Sequence, residues 1–257
     1  MASLASIVSF LDAELRTLEI NDYAAALNGL QFANSGSVTH VAAAVDFSTA
    51  VVRAAADRGA DLLILHHGMF WSGNLRVTGP RFDQLSTLLS KGIAVYSSHL
   101  PLDLHPRLGN NALLARQLGL VSNGGFASSQ GVQIGLRGNA DLETEELCSR
   151  LRAFCAPLGH HLVTTPIQPG RRTRDWGLCS GAGASPETLR EAIALGIDTL
   201  IVGEGPHHTA VQAGDFDLAI LYAGHYATET LGVRALAEET ARQFGIRSSF
   251  IDAPTGL

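Results

Sequence analysis

A chain of 257 residues, 46% hydrophobic and only 16% charged, can form one large domain or two small ones and can cover its strands on both faces. Its net charge is −6, and its 18 Lys and Arg residues form no cluster beyond Arg171, Arg172 and Arg174, which argues against nucleic acid or an anionic membrane surface as the main partner. No run approaches the roughly 20 apolar residues of a membrane span, the first 18 residues lack a basic signal-peptide start, and Cys148, Cys155 and Cys179 are too scattered for a disulfide framework or a CxxC site. A cytoplasmic chain is expected.

Leu4, Ile7, Leu11, Leu15 and Leu18 recur at helical spacing, so residues 3–18 are predicted to open the chain as an amphipathic helix. Strands and helices then alternate. Residues 41–45 read as a strand, and Ser48 caps a helix over 49–58 that Gly59 stops. Residues 61–65 read as a short buried strand, 81–91 as a helix, 93–96 as a strand and 111–118 as a helix ended by Gly119. This rhythm predicts a mostly parallel sheet with helices packed on it. The Ser-, Asn- and Gly-rich stretch 121–131 reads as a loop. After it come a strand near 132–136, a helix over 142–154, a strand over 161–165, a loop over 166–174 and renewed alternation over 176–251.

The later block echoes the earlier one. Asp61-Leu62-Leu63-Ile64-Leu65 is matched by Asp198-Thr199-Leu200-Ile201-Val202, and Val95-Tyr96-Ser97-Ser98-His99 by Leu221-Tyr222-Ala223-Gly224-His225. Each of these histidines is followed four residues later by an acid, Asp103 and Glu229. Further on, each copy has a helix containing Ala-Arg-Gln and then a Gly. The fold class expected is therefore α/β, with two interleaved domains of duplicated topology and mostly parallel sheets. Residues 1–124 with 222–257 would form one domain and 125–221 the other. Shared hydrophobic patterning of unrelated βα units is the competing explanation.

Three sets of residues carry candidate chemistry. His66-His67 follows an apolar strand, where open α/β sheets place ligands. Adjacent strand residues point to opposite sides, so the pair would serve two neighbouring ions rather than chelate one; a doublet that merely packs or hydrogen-bonds at a strand end fits equally. His225 and Glu229 stand at i, i+4, a spacing that converges on one side of a helix. His99 and Asp103 share that spacing, but Pro101 interrupts it, so this stretch reads as a loop. Imidazole and carboxylate donors suit Zn, Fe, Mn or Ni without choosing among them. His207 and His208 follow Pro206 at a helix start and read as capping or supporting residues. No dinucleotide fingerprint, P-loop or Gly-x-Ser-x-Gly elbow is present.

These residues resemble the NIF-three-like dinuclear metal-centre hexameric proteins, whose members carry the name GTP cyclohydrolase I type 2. The resemblance runs through Asn28-Gly29-Leu30-Gln31, Ala44-Val45-Asp46, Leu65-His66-His67-Gly68-Met69-Phe70-Trp71, Ser98-His99-Leu100-Pro101-Leu102-Asp103, Gly203-Glu204-Gly205-Pro206-His207-His208 and Ala223-Gly224-His225-Tyr226-Ala227-Thr228-Glu229. It implies two divalent ions per subunit: one held by His67 and Asp103, the other by His66 and His225, with Glu229 bridging. It also implies a ring-shaped homohexamer and an unidentified small-molecule substrate. A metal-dependent hydrolase using metal-bound water follows, with ring opening of GTP as one form, and His99 acting from outside the ligand set. A non-catalytic metal-binding scaffold, storage or regulatory protein is the alternative.

Overall fold

The chain opens with a two-residue strand β1 (Ala2–Ser3) and helix α1 (Leu4–Leu15), which buries Leu4, Ile7, Leu11 and Leu15 on one stripe. Strands β2 (Gly29–Phe32), β3 (Ser37–Val38) and β4 (His40–Asp46) follow, then α2 (Thr49–Asp57), β5 (Leu62–His67), α3 (Pro80–Lys91) and β6 (Ala94–Ser97). Next come a single turn α4 (Leu100–Asp103), α5 (Asn110–Gln117), the long hairpin β7 (Ser122–Ser129) and β8 (Val132–Glu143), α6 (Thr144–Cys155) and β9 (Val163–Thr164). The last part holds β10 (Arg172–Cys179), α7 (Pro186–Ala194), β11 (Thr199–Val202), α8 (His207–Asp215), β12 (Ala219–Tyr222), α9 (His225–Phe244) and β13 (Arg247–Phe250).

This computed structural model describes residues 1–257 and divides into two units, 1–102 with 232–253 and 103–231 with 254–257. The chain thus leaves the first unit and returns to it, at bounds other than the 1–124 with 222–257 read from sequence.

The first unit is built on a five-stranded sheet of order β13-β4-β5-β6-β2. Its first four strands are parallel and β2 runs antiparallel at the edge. Every residue of β5 is buried, with Leu63 and Leu65 packed among Val52, Leu88 and Val95 on the side of α2 and α3. Parallel strands covered on both faces read as continuous apolar runs for this reason. Ser48 accepts a hydrogen bond from the Val51 N–H at 3.2 Å and so caps α2, as its sequence position predicts.

The second unit has a six-stranded sheet of order β7-β8-β10-β11-β12-β9. Here β10, β11 and β12 are parallel, while β8 and β9 run antiparallel to their neighbours β10 and β12. Trp176, Leu178 and Ile201 pack with Leu147 and Leu151 of α6 in one core, and Leu200, Val202 and Ile220 with Phe126 and Leu189 in another. The duplicated topology is plain in the strand orders. In each unit three consecutive parallel strands alternate with helices, and the third carries an antiparallel edge strand beside it. The strand preceding His99 (β6) corresponds in this way to the strand preceding His225 (β12).

Three local expectations change. Residues 122–129 form strand β7 rather than loop, because β8 supplies a full antiparallel ladder and Phe126 is buried beneath it; tertiary pairing overrides weak local propensity. Residues 172–174, expected in a loop, already belong to β10, which pairs with β8. The segment after His99 is one helical turn, since Pro101 falls in its first turn, where its missing N–H costs nothing.

Ser48→Ala should leave the fold intact and cost about 1 kcal/mol, read as a drop of roughly 2–4 °C in calorimetric Tm.

Candidate metal-binding residues

In the first unit, His66 and His67 are the last two residues of β5 and His99 follows the end of β6, so the neighbouring parallel strands deliver them to one sheet edge. They are 0%, 6% and 8% exposed. Ring centroids lie 4.8 Å apart for His66 and His67, and 4.9 Å apart for His66 and His99. One donor atom from each of the three falls within 4.8 Å of the others. Although adjacent strand residues begin on opposite sides, the strand end lets both rings turn to the same place.

Each ring is held by its Nδ1. His66 Nδ1 meets the Ser98 carbonyl at 3.0 Å, His67 Nδ1 meets Asp46 Oδ1 at 2.8 Å, and His99 Nδ1 meets Asp22 Oδ1 at 2.9 Å. An oxygen acceptor keeps the proton on Nδ1 and leaves the Nε2 lone pair for a cation. Asp46 is placed by register, since its Cα pairs with that of His67 across β4 and β5. Asp22 also accepts from Asn28 Nδ2 at 2.8 Å and Leu100 N–H at 2.9 Å. Burial opposes ionisation of its carboxyl, but the hydrogen bond and charge of His99, with Asn28 and Leu100, hold it below the usual carboxylate range. Gln31 fixes the backbone after His67: its Oε1 accepts from Met69 N–H at 2.7 Å, and its side chain lies where a Cβ on Gly68 would stand.

In the second unit, β12 ends and α9 begins at His225, so the i, i+4 pair does lie on a helix. His225 Nε2 is 3.1 Å from Glu229 Oε2, and its Nδ1 is 2.8 Å from Glu204 Oε1. Glu229 is only 3% exposed. Gly181, at φ +63°, makes room for it, because a Cβ there would collide with Glu229 Oε1. Thr228 Oγ1 accepts the Gly181 N–H at 3.0 Å, tying the same loop to the first turn of α9. Asp103 is buried and accepts from Asn110 Nδ2 at 2.8 Å. Burial alone would lower the pKa of His225, but hydrogen bonds and charge from Glu229 and Glu204 push it up to about 9.

The structure therefore gathers His66, His67 and His99 in the first unit, and His225 with Glu229 in the second, with Asp103 buried in the second on its own partner. His207 and His208 start α8 without capping it and are exposed. Residue type and spacing do not single out the partners Asp22, Asp46 and Glu204. Asp46 has a usable signal, its place at the C-terminal end of the strand beside β5. Asp22 has none, since it reaches His99 across 77 residues of chain.

Histidines and acids gathered at strand and helix ends of an α/β fold make groups that could hold a metal ion, and the comparisons place the chain in a family. The chain belongs to the Duf34/NIF3 (NGG1p interacting factor 3) family, whose model matches residues 2–255. It is 43% identical over 247 residues to a "GTP cyclohydrolase 1 type 2 homolog" of Halobacterium salinarum, covering 93% of this chain and 95% of that one. A protein of the same name from Deinococcus radiodurans is 38% identical over 233 residues, 90% of this chain and 86% of the relative. Among solved structures, the protein ybgI, described as of unknown function, superposes with TM-score 0.88 at 32% identity, covering 99% of this chain and 100% of its own. A protein from Thermus thermophilus does so at 0.84 and 34%, with 99% and 100% coverage.

In protein stripped of metal by a chelator, His225 should titrate near 9. Its contribution to stability is then full below its unfolded value of about 6.5 and is lost as pH rises through the folded value. Glu204→Gln should lower the titration midpoint, read by NMR of the ring nitrogens. An unchanged midpoint would show that Glu204 does not act on the ring.

Proposed function

We propose that this chain holds two divalent metal ions through His66, His67, Asp103, His225 and Glu229 and uses them to hydrolyse a small-molecule substrate. The observation that carries the reading is the shared anchoring of the imidazoles. His66, His67 and His225 each engage a carbonyl or carboxylate oxygen through Nδ1 at 2.8–3.0 Å. That arrangement fixes the orientation metal-ligating histidines need and raises their basicity. The remaining donors are buried carboxylates, Asp103 at 8% exposed and Glu229 at 3%. Imidazole with carboxylate fits Zn, Fe, Mn or Ni.

When bound, such a pair of ions makes water acidic enough to attack at neutral pH and polarises the electrophile. The rest falls to the chain's own groups. Asp46 and Glu204 hold the Nδ1 protons of His67 and His225, keeping Nε2 a donor. In the division of ligands proposed here, Glu229 serves both ions. His99, whose Nδ1 is held by Asp22, stands against the rings of His66 and His67 and acts on substrate rather than as a ligand. No thiol competes as nucleophile: Cys148, Cys155 and Cys179 are all buried. Hydrolytic opening of GTP, suggested by the name of the relatives, is one reaction of this kind. The assembly proposed is a homohexamer, so light scattering should give six times the chain mass. No helix of the chain is long and apolar enough to cross a membrane.

Elemental analysis should find about two equivalents of metal per chain. Glu229→Gln should lose most of both, and retention of both would remove Glu229 from the bridging role. Asp46→Asn should weaken metal affinity by about 10–100-fold while leaving the fold unchanged. His99→Ala should keep both ions and lose turnover. Metal-replete protein inert toward nucleotides, cyclic nucleotides, phosphoesters and peptides alike would favour a storage or scaffold role.

A further inference from the structure

The first unit contains a cleft of about 230 Å³ that no proposed metal ligand except His67 lines. Asp46 and His67 form its polar end. Trp71 stands against the His67 ring, with centroids 4.5 Å apart. Phe47, Gln84 and Arg81 line the rest. A second cleft, of about 520 Å³ and mostly apolar, lies on the other side of Arg81, Met69 and Leu75, between Phe32, Phe70 and Val77. Arg81 lines both.

Arg81 has no acidic partner. Its guanidinium packs over Phe47 at 5.4 Å and over Phe70 at 5.7 Å, and it makes no ion pair or hydrogen bond. Seven of the chain's other sixteen arginines instead reach a carboxylate, Arg171 and Arg172 among them. The guanidinium carbon is placed by two rings, while all five N–H donors are left for something else. Partial burial without a counter-charge disfavours the cation, and its pKa is lowered accordingly. A guanidinium placed between two rings and left unneutralised is available for a planar or tetrahedral oxyanion, which such a group binds through two parallel hydrogen bonds. Asp46, the acid in the same cleft, has its Oδ1 engaged by His67.

We propose that Arg81 anchors an oxyanion of the substrate, a phosphate monoester or a carboxylate. The reacting end would lie toward His67 in the smaller cleft, and an apolar or ring-bearing remainder beside Trp71 or in the larger cleft. The volume beside His67 admits an anionic group with little more than one ring attached, so the rest of a larger substrate extends past Arg81. The inference rests on the metal reading only for which end reacts; anion binding itself does not need the metal.

The test uses inorganic phosphate, phenyl phosphate and benzoate as probes, titrated into chelator-treated and metal-replete protein. Isothermal calorimetry is the primary readout and the fluorescence of Trp71 the second, since that indole is partly exposed in the cleft whereas Trp176 is buried. Metal content is measured separately on the same samples, so failure of the metal reading shows as absent metal and leaves the anion result standing. Saturable binding to chelator-treated wild type is expected. Arg81→Gln should weaken it about tenfold or more, in line with loss of a charge-assisted pair. Arg81→Met keeps an apolar side chain of similar reach without the charge and should weaken it equally, which separates charge from packing should the Gln variant fold poorly. Arg81→Lys should retain part of the affinity. Preference for phenyl phosphate or for benzoate identifies which oxyanion is native, and either supports the proposal. No saturable binding by wild type, or equal affinity in the Arg81→Met variant, overturns it.

Discussion

The site depends on a hydrogen bond that never touches a substrate: the contact from a histidine Nδ1 to an oxygen behind it. A neutral imidazole has two tautomers and a freely turning ring, and either freedom would spoil a metal ligand. In this protein the freedom is removed from the strand ends outward. The Ser98 carbonyl holds His66, Asp46 holds His67, Asp22 holds His99 and Glu204 holds His225. The acceptors come from places the fold already fixes: the residue after β6, the end of β4, and the loop after β11. Sheet register therefore sets the chemistry. A slip of one residue between β4 and β5 would carry Asp46 away from His67 and leave the ring unheld.

The apolar core makes that precision possible. The residues before the doublet, Leu62 to Leu65, are fully buried, so β5 cannot shift without exposing them. Burial also raises the stakes for the polar groups that share the edge. Asp22 can sit ionised because His99, Asn28 and the backbone N–H groups of Tyr23 and Leu100 meet it, and Glu229 is accommodated only because Gly181 carries no side chain. Beside His67, Trp71, Phe47 and Arg81 line a cleft whose acid is Asp46 and whose cation is Arg81. The two chemistries proposed above, one for metal and one for an anion, would meet at His67.

Much of this is legible from sequence because periodicity and strand-end position are local signals. The alternation of apolar runs and helices points to the parallel sheets, and the echo between the strands preceding His99 and His225 points to the repeated topology. The Ser-, Asn- and Gly-rich strand β7 is not legible, since its stability comes from pairing with β8 rather than from its own residues. The helical turn after His99 is hidden by Pro101, which reads as a breaker unless its position within the turn is known. At the site, the candidate donors stand out by residue type and spacing, while their partners Asp22 and Glu204 do not. Those contacts join residues 77 and 21 positions apart, distances over which a sequence carries no geometric signal.

The three cysteines give the donor set a further property. Cys148, Cys155 and Cys179 are buried, and burial pushes their thiols up, Cys148 to about 11 and Cys155 to about 12. Cys179 is raised further, by burial and by the charges of Asp103, Glu229 and Glu191. Peroxide and thiophilic ions attack the thiolate, which these residues hardly populate at neutral pH. With its thiols held protonated, the chain presents little cysteine thiolate to soft metals such as copper(I) or to mild oxidants. Under the metal reading proposed above, selection among metals would fall to imidazole and carboxylate.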